Sequence, residues 1–175
     1  PDFSDIYGGV VDYTIPPNQL LIPDVRVQQG PDENGVMPFV TEEIYIPENV
    51  VVHLGAPSSN AENITVPFTD YIKNVASSEI YPTWPEDSLR ANIYAIISLT
   101  LNRIFTEWYP SQGYNFDITS STGYDQAFVP GRNIFENISR IVDEIFNSYV
   151  SKQGNVNPLF TQFCDGRRVQ CEGMS

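Results

Sequence analysis

Residues 83–108 read TWPEDSLRANIYAIISLTLNRIFTEW, and this stretch decides the fold. Leu89, Ile93, Ile96, Ile97, Thr100, Leu101, Ile104, Phe105 and Trp108 recur at helical spacing and cover nearly two sides of the helix. A helix that is apolar on more than one side belongs in the middle of a core. Thr83 and Glu86 have the spacing of a capping box, Pro85 suits a first turn, and Tyr109-Pro110 ends the segment. The pattern predicts a central buried helix over about 84–108.

Two more helices are expected on either side. Residues 68–79 place Ile72, Val75, Ala76 and Glu79 at i, i+3, i+4 and i+7, the period of one buried face. Residues 133–149, opening at Asn133 with Glu136 three positions on, carry Phe135, Ile138, Ile141, Val142, Ile145, Phe146 and Tyr149 as a stripe. Short β-rich runs stand at Ile44-Tyr45-Ile46, at 50–54 and at 63–66, and the last two can pair as a hairpin across the loop 55–60. Residues 159–163 alternate like a strand. The class predicted is α+β, with central buried helices and short strands packed alongside. Residues 1–40 differ: Pro16-Pro17, Pro23, Pro31 and Pro38 with Gly8-Gly9, Gly30 and Gly35 give an extended arm or interdomain connector. Val10-Val11 and Leu20-Leu21-Ile22 are strand candidates within that arm. The domain proper is expected over 41–175.

The chain has 175 residues, 41% of them hydrophobic, and a net charge of −13. Such acidity argues against nucleic acid, whose phosphates reward a basic patch, and against electrostatic docking on anionic membranes. No run approaches the roughly 18 apolar residues of a membrane span. No signal sequence opens the chain, and a start at Pro1 rather than Met reads as a processing point or the edge of a piece. Cys164 and Cys171 have six residues between them. A disulfide in an oxidising compartment and two reduced thiols are both open readings. A metal site is disfavoured, because His53 is the single histidine and no further cysteine completes a tetrad. With no P-loop and no dinucleotide fingerprint, no cofactor is expected.

Glu79 carries the sharpest chemical signal. A carboxyl on a core-facing position is costly unless paired or neutral. Burial raises its pKa, which suits a general acid near neutral pH. The competing reading is an ion pair with Arg90, Arg103 or another cation, or a glutamate at a helix end facing water. Ser77-Ser78 precede it and Trp84 follows, adding hydrogen-bonding groups and an aromatic wall that could hold a sugar ring. The polar connection 111–131 holds Asp117, Ser120, Ser121, Tyr124, Asp125 and Gln126, which could line a cleft or form a solvated turn.

These residues resemble a family. Tyr71-Ile72-Lys73-Asn74-Val75-Ala76-Ser77-Ser78-Glu79 followed by Trp84-Pro85-Glu86-Asp87-Ser88-Leu89-Arg90-Ala91-Asn92 looks like the opening of a SpoIID/LytB domain. Asp117-Ile118-Thr119-Ser120-Ser121, then Gln126-Ala127-Phe128 and Gly131, resembles the family's Asp-x-Thr…Gln-x-Tyr-x-Gly stretch. The likeness spans roughly 41–175. Within the family it is most like the spore cortex-lytic SleC type, through Ile46-Pro47-Glu48-Asn49-Val50-Val51-Val52-His53 and Cys164-Asp165-Gly166. The chain departs from the pattern at Ile97, where an arginine is usual, and at Phe128, where a tyrosine is usual. The family's pattern also continues past Ser175, so the C-terminal part of such a domain is expected to be missing.

The resemblance implies a lytic transglycosylase that cleaves peptidoglycan glycan strands between MurNAc and GlcNAc. It puts the catalytic glutamate on Glu79 and substrate contacts on Ser78, Trp84, Asp117, Ser120, Tyr124 and Gln126. It further implies an extracytoplasmic place in the spore cortex or cell wall, a role in sporulation or germination, and an upstream propeptide or activating protease. A non-catalytic peptidoglycan-binding or assembly module is the alternative, favoured by the departures.

Overall fold

The computed structural model describes residues 10–14, 44–153 and 156–162. Along them run β1 (Val10–Thr14), β2 (Asn49–His53), β3 (Asn63–Pro67), α1 (Phe68–Glu79), α2 (Glu86–Phe105), a 3-10 turn (Pro110–Gln112), β4 (Ile118–Thr119), α3 (Glu136–Ile145) and β5 (Ser148–Lys152). The fold is α+β, with three helices and two small sheets among the described residues.

α2 is the central helix. Its buried residues include Leu89, Ile93, Ile96, Ile97, Leu99, Leu101 and Ile104, which point in several directions around the axis. It packs against α1, α3, β4 and β5. Each such side chain removed from water contributes on the order of 1.5–3 kcal/mol. α1 faces it through Tyr71, Ile72, Val75 and Ala76, and α3 through Ile138, Ile141, Val142 and Ile145. Salt links join the outer faces: Glu86 and Glu144 both bind Arg90 and Arg140, and Lys73 reaches Asp143 at 2.7 Å.

The predicted hairpin forms: β2 pairs antiparallel with β3, from Asn49↔Pro67 to His53↔Asn63. The pleat turns Val50 and Val52 inward. β4 adds in parallel to the other edge of β2, with Val52 opposite Ile118 and His53 opposite Thr119. The second sheet pairs β1 antiparallel with β5, from Val10↔Lys152 to Thr14↔Ser148. A strand from the expected arm thus lies on the end of the domain. Leu20-Leu21-Ile22 lies outside the described residues.

Several boundaries differ from expectation. The capping box at Thr83 is not made: Pro85 is the N-cap and no side chain caps the helix. Glu86 instead accepts from Arg90 and Arg140, and these partners draw its carboxylate away from the backbone. α2 ends at Phe105 rather than Trp108, because Glu107 takes a left-handed φ of 49°. α3 starts at Glu136 because Phe135 is extended, and it stops at Ile145. Tyr149, in phase with the helical stripe, lies in β5 and is buried there. Ile44 and Ile46 are buried without forming a strand. Residues 159–162 form no strand, although Pro158 bridges Ser151. They are fastened to α2 by side chains, with Asn102 Nδ2 donating to the Pro158 carbonyl and Thr161 Oγ1 to that of Ala95.

Candidate functional site

α1 carries Glu79 as its last residue, half-buried, one turn beyond the buried Val75 and Ala76. The helical period therefore delivers a carboxyl to the rim of the core. Its Oε1 accepts the Ala127 backbone N–H at 2.8 Å. Burial pushes the Glu79 carboxyl above the usual carboxylate range, and the Ala127 N–H, which favours the charged form, offsets part of that rise. The negative end of the α1 dipole also disfavours charge here. Among the described residues no cation pairs with it: Arg90 binds Glu86 and Glu144, and Arg103 binds Asp125. The ion-pair reading of Glu79 is not realised with either arginine.

The segment that meets Glu79 is laid down residue by residue. Asp125 accepts from Arg103 Nε at 2.6 Å, Tyr109 Oη at 2.6 Å, and both the N–H and Oγ1 of Thr119. Gln126 Nε2 donates to Thr100 Oγ1 at 2.9 Å and to Tyr71 Oη at 3.3 Å. Ala127 donates to Glu79. Phe128 stacks on Tyr71, with ring centroids 5.6 Å apart. The Asn74 side chain brackets Val129, donating to its carbonyl and accepting from its N–H. Five consecutive residues are thus held against α1, α2 and β4, and the Ala127 donor is fixed in place.

Beyond this strap, Arg132 Nε donates to the Ser77 carbonyl, the Phe135 N–H to Ser77 Oγ, and Asn137 Nδ2 to the Pro82 carbonyl. The turn after α1 and the stretch before α3 therefore meet around the end of α1. They present exposed Tyr81, Trp84, Val129, Ile134 and Phe135. Tyr81 and Trp84 lean on one another at 5.9 Å. A protonatable, half-buried carboxyl is a group that can donate a proton to a sugar oxygen.

The other expected contact residues do not converge on Glu79. Ser78 Oγ donates back to the Asn74 carbonyl within α1. Asp117 Oδ2 accepts the Val51 N–H at 2.8 Å, and its own N–H goes to the Val51 carbonyl, so it fastens β2. The Ser120 N–H goes to the His53 carbonyl, at the sheet. Tyr124 is half exposed, and its carbonyl accepts from Arg103. The amide of Gln126 is buried in the core beside Tyr71 and Thr100. Trp84 and Tyr124 are the exposed two of the six, and of these Trp84 lies in the turn beyond Glu79. Two hollows are defined by their linings, ≈ 540 Å³ along α3 and ≈ 270 Å³ at the β2–β3 hairpin, and Glu79 lines neither. Cys164 and Cys171 lie outside the described residues.

Sequence reasoning missed the Arg103–Asp125–Tyr109–Thr119 cluster and the Asn74 bracket. A signal for the first existed: Arg103 is a lone cation in the buried stripe of α2, four residues after Leu99, and needs an anion. Its guanidinium is further enclosed by Trp108 and Phe160 at 4.8 and 4.5 Å.

The fold and the site define an α+β domain with a half-buried carboxyl at a helix end that has no cation partner among the described residues, followed in the chain by exposed Tyr81 and Trp84. No family model, curated protein or solved structure matches the chain. Among the described residues no helix is long and apolar enough to cross a membrane.

Proposed function

We propose that the chain cleaves peptidoglycan glycan strands between MurNAc and GlcNAc as a lytic transglycosylase, with Glu79 as acid and then base. The observation that carries the reading is the Glu79 carboxyl itself: half-buried, raised in pKa, without a cation, and followed by exposed Tyr81 and Trp84. The resemblance of residues 71–92 and 117–131 to the SpoIID/LytB domain supports it. Protonated Glu79 gives its proton to the glycosidic oxygen as the C1–O bond breaks. The 6-hydroxyl of MurNAc closes on C1, and its proton passes to the Glu79 carboxylate, restoring the acid. Ordinary glycosidases pair two carboxylates; here the substrate supplies the nucleophile, so one suffices. On this reading the chain works outside the cytoplasm, in the spore cortex or cell wall, and an upstream propeptide or protease would control it.

The test is Glu79→Gln, which keeps an oxygen for the Ala127 N–H and removes the proton. It is expected to lower release of 1,6-anhydro muropeptides by about 100-fold or more, with an unchanged fold by circular dichroism. Mass spectrometry of digested cortex peptidoglycan reads the products, and undiminished release from the variant would refute the role.

One set of contacts favours a second reading, a non-catalytic peptidoglycan-binding or assembly module. Ser78, Asp117 and Gln126 are all engaged within the fold, and Glu79 already holds Ala127. Ile97 is fully buried where the family's usual arginine would stand. A binder would retain glycan strands and release no anhydro products. Reducing ends in their place would identify a hydrolase.

A further inference from the structure

The hollow at the β2–β3 hairpin has a built lining. His53, at the end of β2, is buried and stacks on Phe116 with centroids 4.5 Å apart and planes 15° apart. Its Nε2 lies 3.0 Å from the Ala56 carbonyl and 3.1 Å from Ser59 Oγ, which itself donates to Ala56. Its Nδ1 lies 2.7 Å from Asn63 Oδ1, and Asn63 Nδ2 donates to Asn115 Oδ1 at 2.9 Å. A buried ring thus orients one amide, which orients a second at the surface. Gly55 permits this closure, because a Cβ there would stand 2.6 Å from Ser59 Oγ.

What remains for a ligand is specific. Among the described residues, the Asn115 Nδ2 group and the Ser58 hydroxyl have no partner, and Tyr114 offers a half-exposed ring beside Phe116. The lining contains no Asp, Glu, Lys or Arg, in a chain whose net charge is −13. An anion would find no lysine or arginine here, and the His53 ring is turned inward onto Asn63 and the 56–59 loop. A purely apolar ligand would strip water from Asn115 and Ser58 without replacing it. The ≈ 270 Å³ volume is below the roughly 300–1,000 Å³ of drug-sized pockets, which is room for one ring.

We infer that this hollow binds a neutral sugar ring, its C–H face on Tyr114 and its hydroxyl or acetamido oxygens on Asn115 and Ser58. The assignment extends the glycan reading to a second place on the chain and rests on that reading for the ligand's class, while its residues are separate from Glu79. The experiment is an NMR titration of the ¹⁵N-labelled chain with a tetramer of N-acetylglucosamine and, separately, of glucose. Saturable shifts are expected at the backbone amides of Ser58, Ser59 and residues 114–116 and at the Asn63 and Asn115 side-chain amides. Asn115→Ala, at an exposed position, is expected to weaken binding roughly three- to tenfold, and Tyr114→Ala to weaken it as well. Binding of the acetylated tetramer alone assigns the acetamido contact; binding of both assigns the hydroxyls. No shift at the hollow with either sugar, or equal affinity in both variants, overturns the inference. Glu79→Gln is expected to leave this binding unchanged. A chain that binds here yet loses no activity in Glu79→Gln therefore refutes only the acid/base role, and the reverse pattern refutes only the hollow.

Discussion

Glu79 has a thermodynamic consequence that needs no substrate. Its ordinary value is 4.5 and the folded value lies above it, because burial outweighs the Ala127 hydrogen bond. The folded state then holds the proton more tightly than the unfolded one. The stability linked to this group is fully present below 4.5 and is lost as pH rises through the raised folded value. Thermal melts of the wild type and Glu79→Gln across pH 4 to 8 check this: the wild type should fall progressively behind the variant as pH rises. A constant gap would show that the carboxyl is not perturbed. The same residue shows how much of the site was legible. The period of α1 placed Glu79 at the edge of the buried face from sequence, because position on a helix follows from spacing alone. Its neighbours were not legible. Asp117 and Gln126 look the same in sequence whether they face a ligand or satisfy a strand N–H and a buried tyrosine. Which of these happens depends on contacts 66 residues away for Asp117 with Val51 and 55 away for Gln126 with Tyr71.

At the scale of elements, helices were legible to within a turn where an apolar stripe ran unbroken, as in α1 and α2. Errors gathered at ends, where a tertiary bond competes with a local one. Glu86 left its cap for two arginines. Tyr149 kept the helical phase of α3, yet its chain pairs with β1, more than 130 positions earlier; Val10-Val11 marked that strand in the sequence, but no local period announces the pairing. The end of α2 is a third case. The Glu107 N–H bonds to the Ile104 carbonyl and the Trp108 N–H to that of Arg103, the paired bonds of a Schellman close. Such a close needs a left-handed residue, and glycine usually supplies it. Here Glu107 does, at φ 49°, and a side chain in that conformation costs roughly 1–2 kcal/mol. Glu107→Gly removes the clash while adding some unfolded-state entropy. A net stabilisation of about 0.5–1 kcal/mol is expected, read as a raised urea midpoint at unchanged slope. A lowered midpoint would mean that the contacts of Glu107 outweigh its strain.

For the molecule as a whole, the decisive fastening is the Arg103–Asp125 pair. Arg103 comes from the central helix, Tyr109 from the turn after it, Thr119 from β4, and all three converge on one carboxylate with no exposed surface. This cluster ties the helical layer to the β3-β2-β4 sheet and starts the strap that reaches Glu79. The Asp125 charge also raises the Tyr109 hydroxyl well above its usual range, after burial, which is the larger cause. Asp125→Asn puts an amide where two sets of donors point and leaves a buried guanidinium without its anion. Removing one partner of such a pair costs about 3–5 kcal/mol, so Asp125→Asn should remove a large share of the roughly 5–15 kcal/mol that holds a domain folded. Arg103→Met should cost less, since it leaves Asp125 with the Tyr109 and Thr119 donors. Combining the two should restore part of the loss, giving a coupling of at least about 1 kcal/mol in a denaturation cycle. Additive losses would mean that the sheet and the helices are joined by apolar contact alone and that Asp125 merely fills space. If the coupling is found, hydrogen exchange at the Ala127 amide should rise in Asp125→Asn, because the strap that presents it to Glu79 is anchored two residues away.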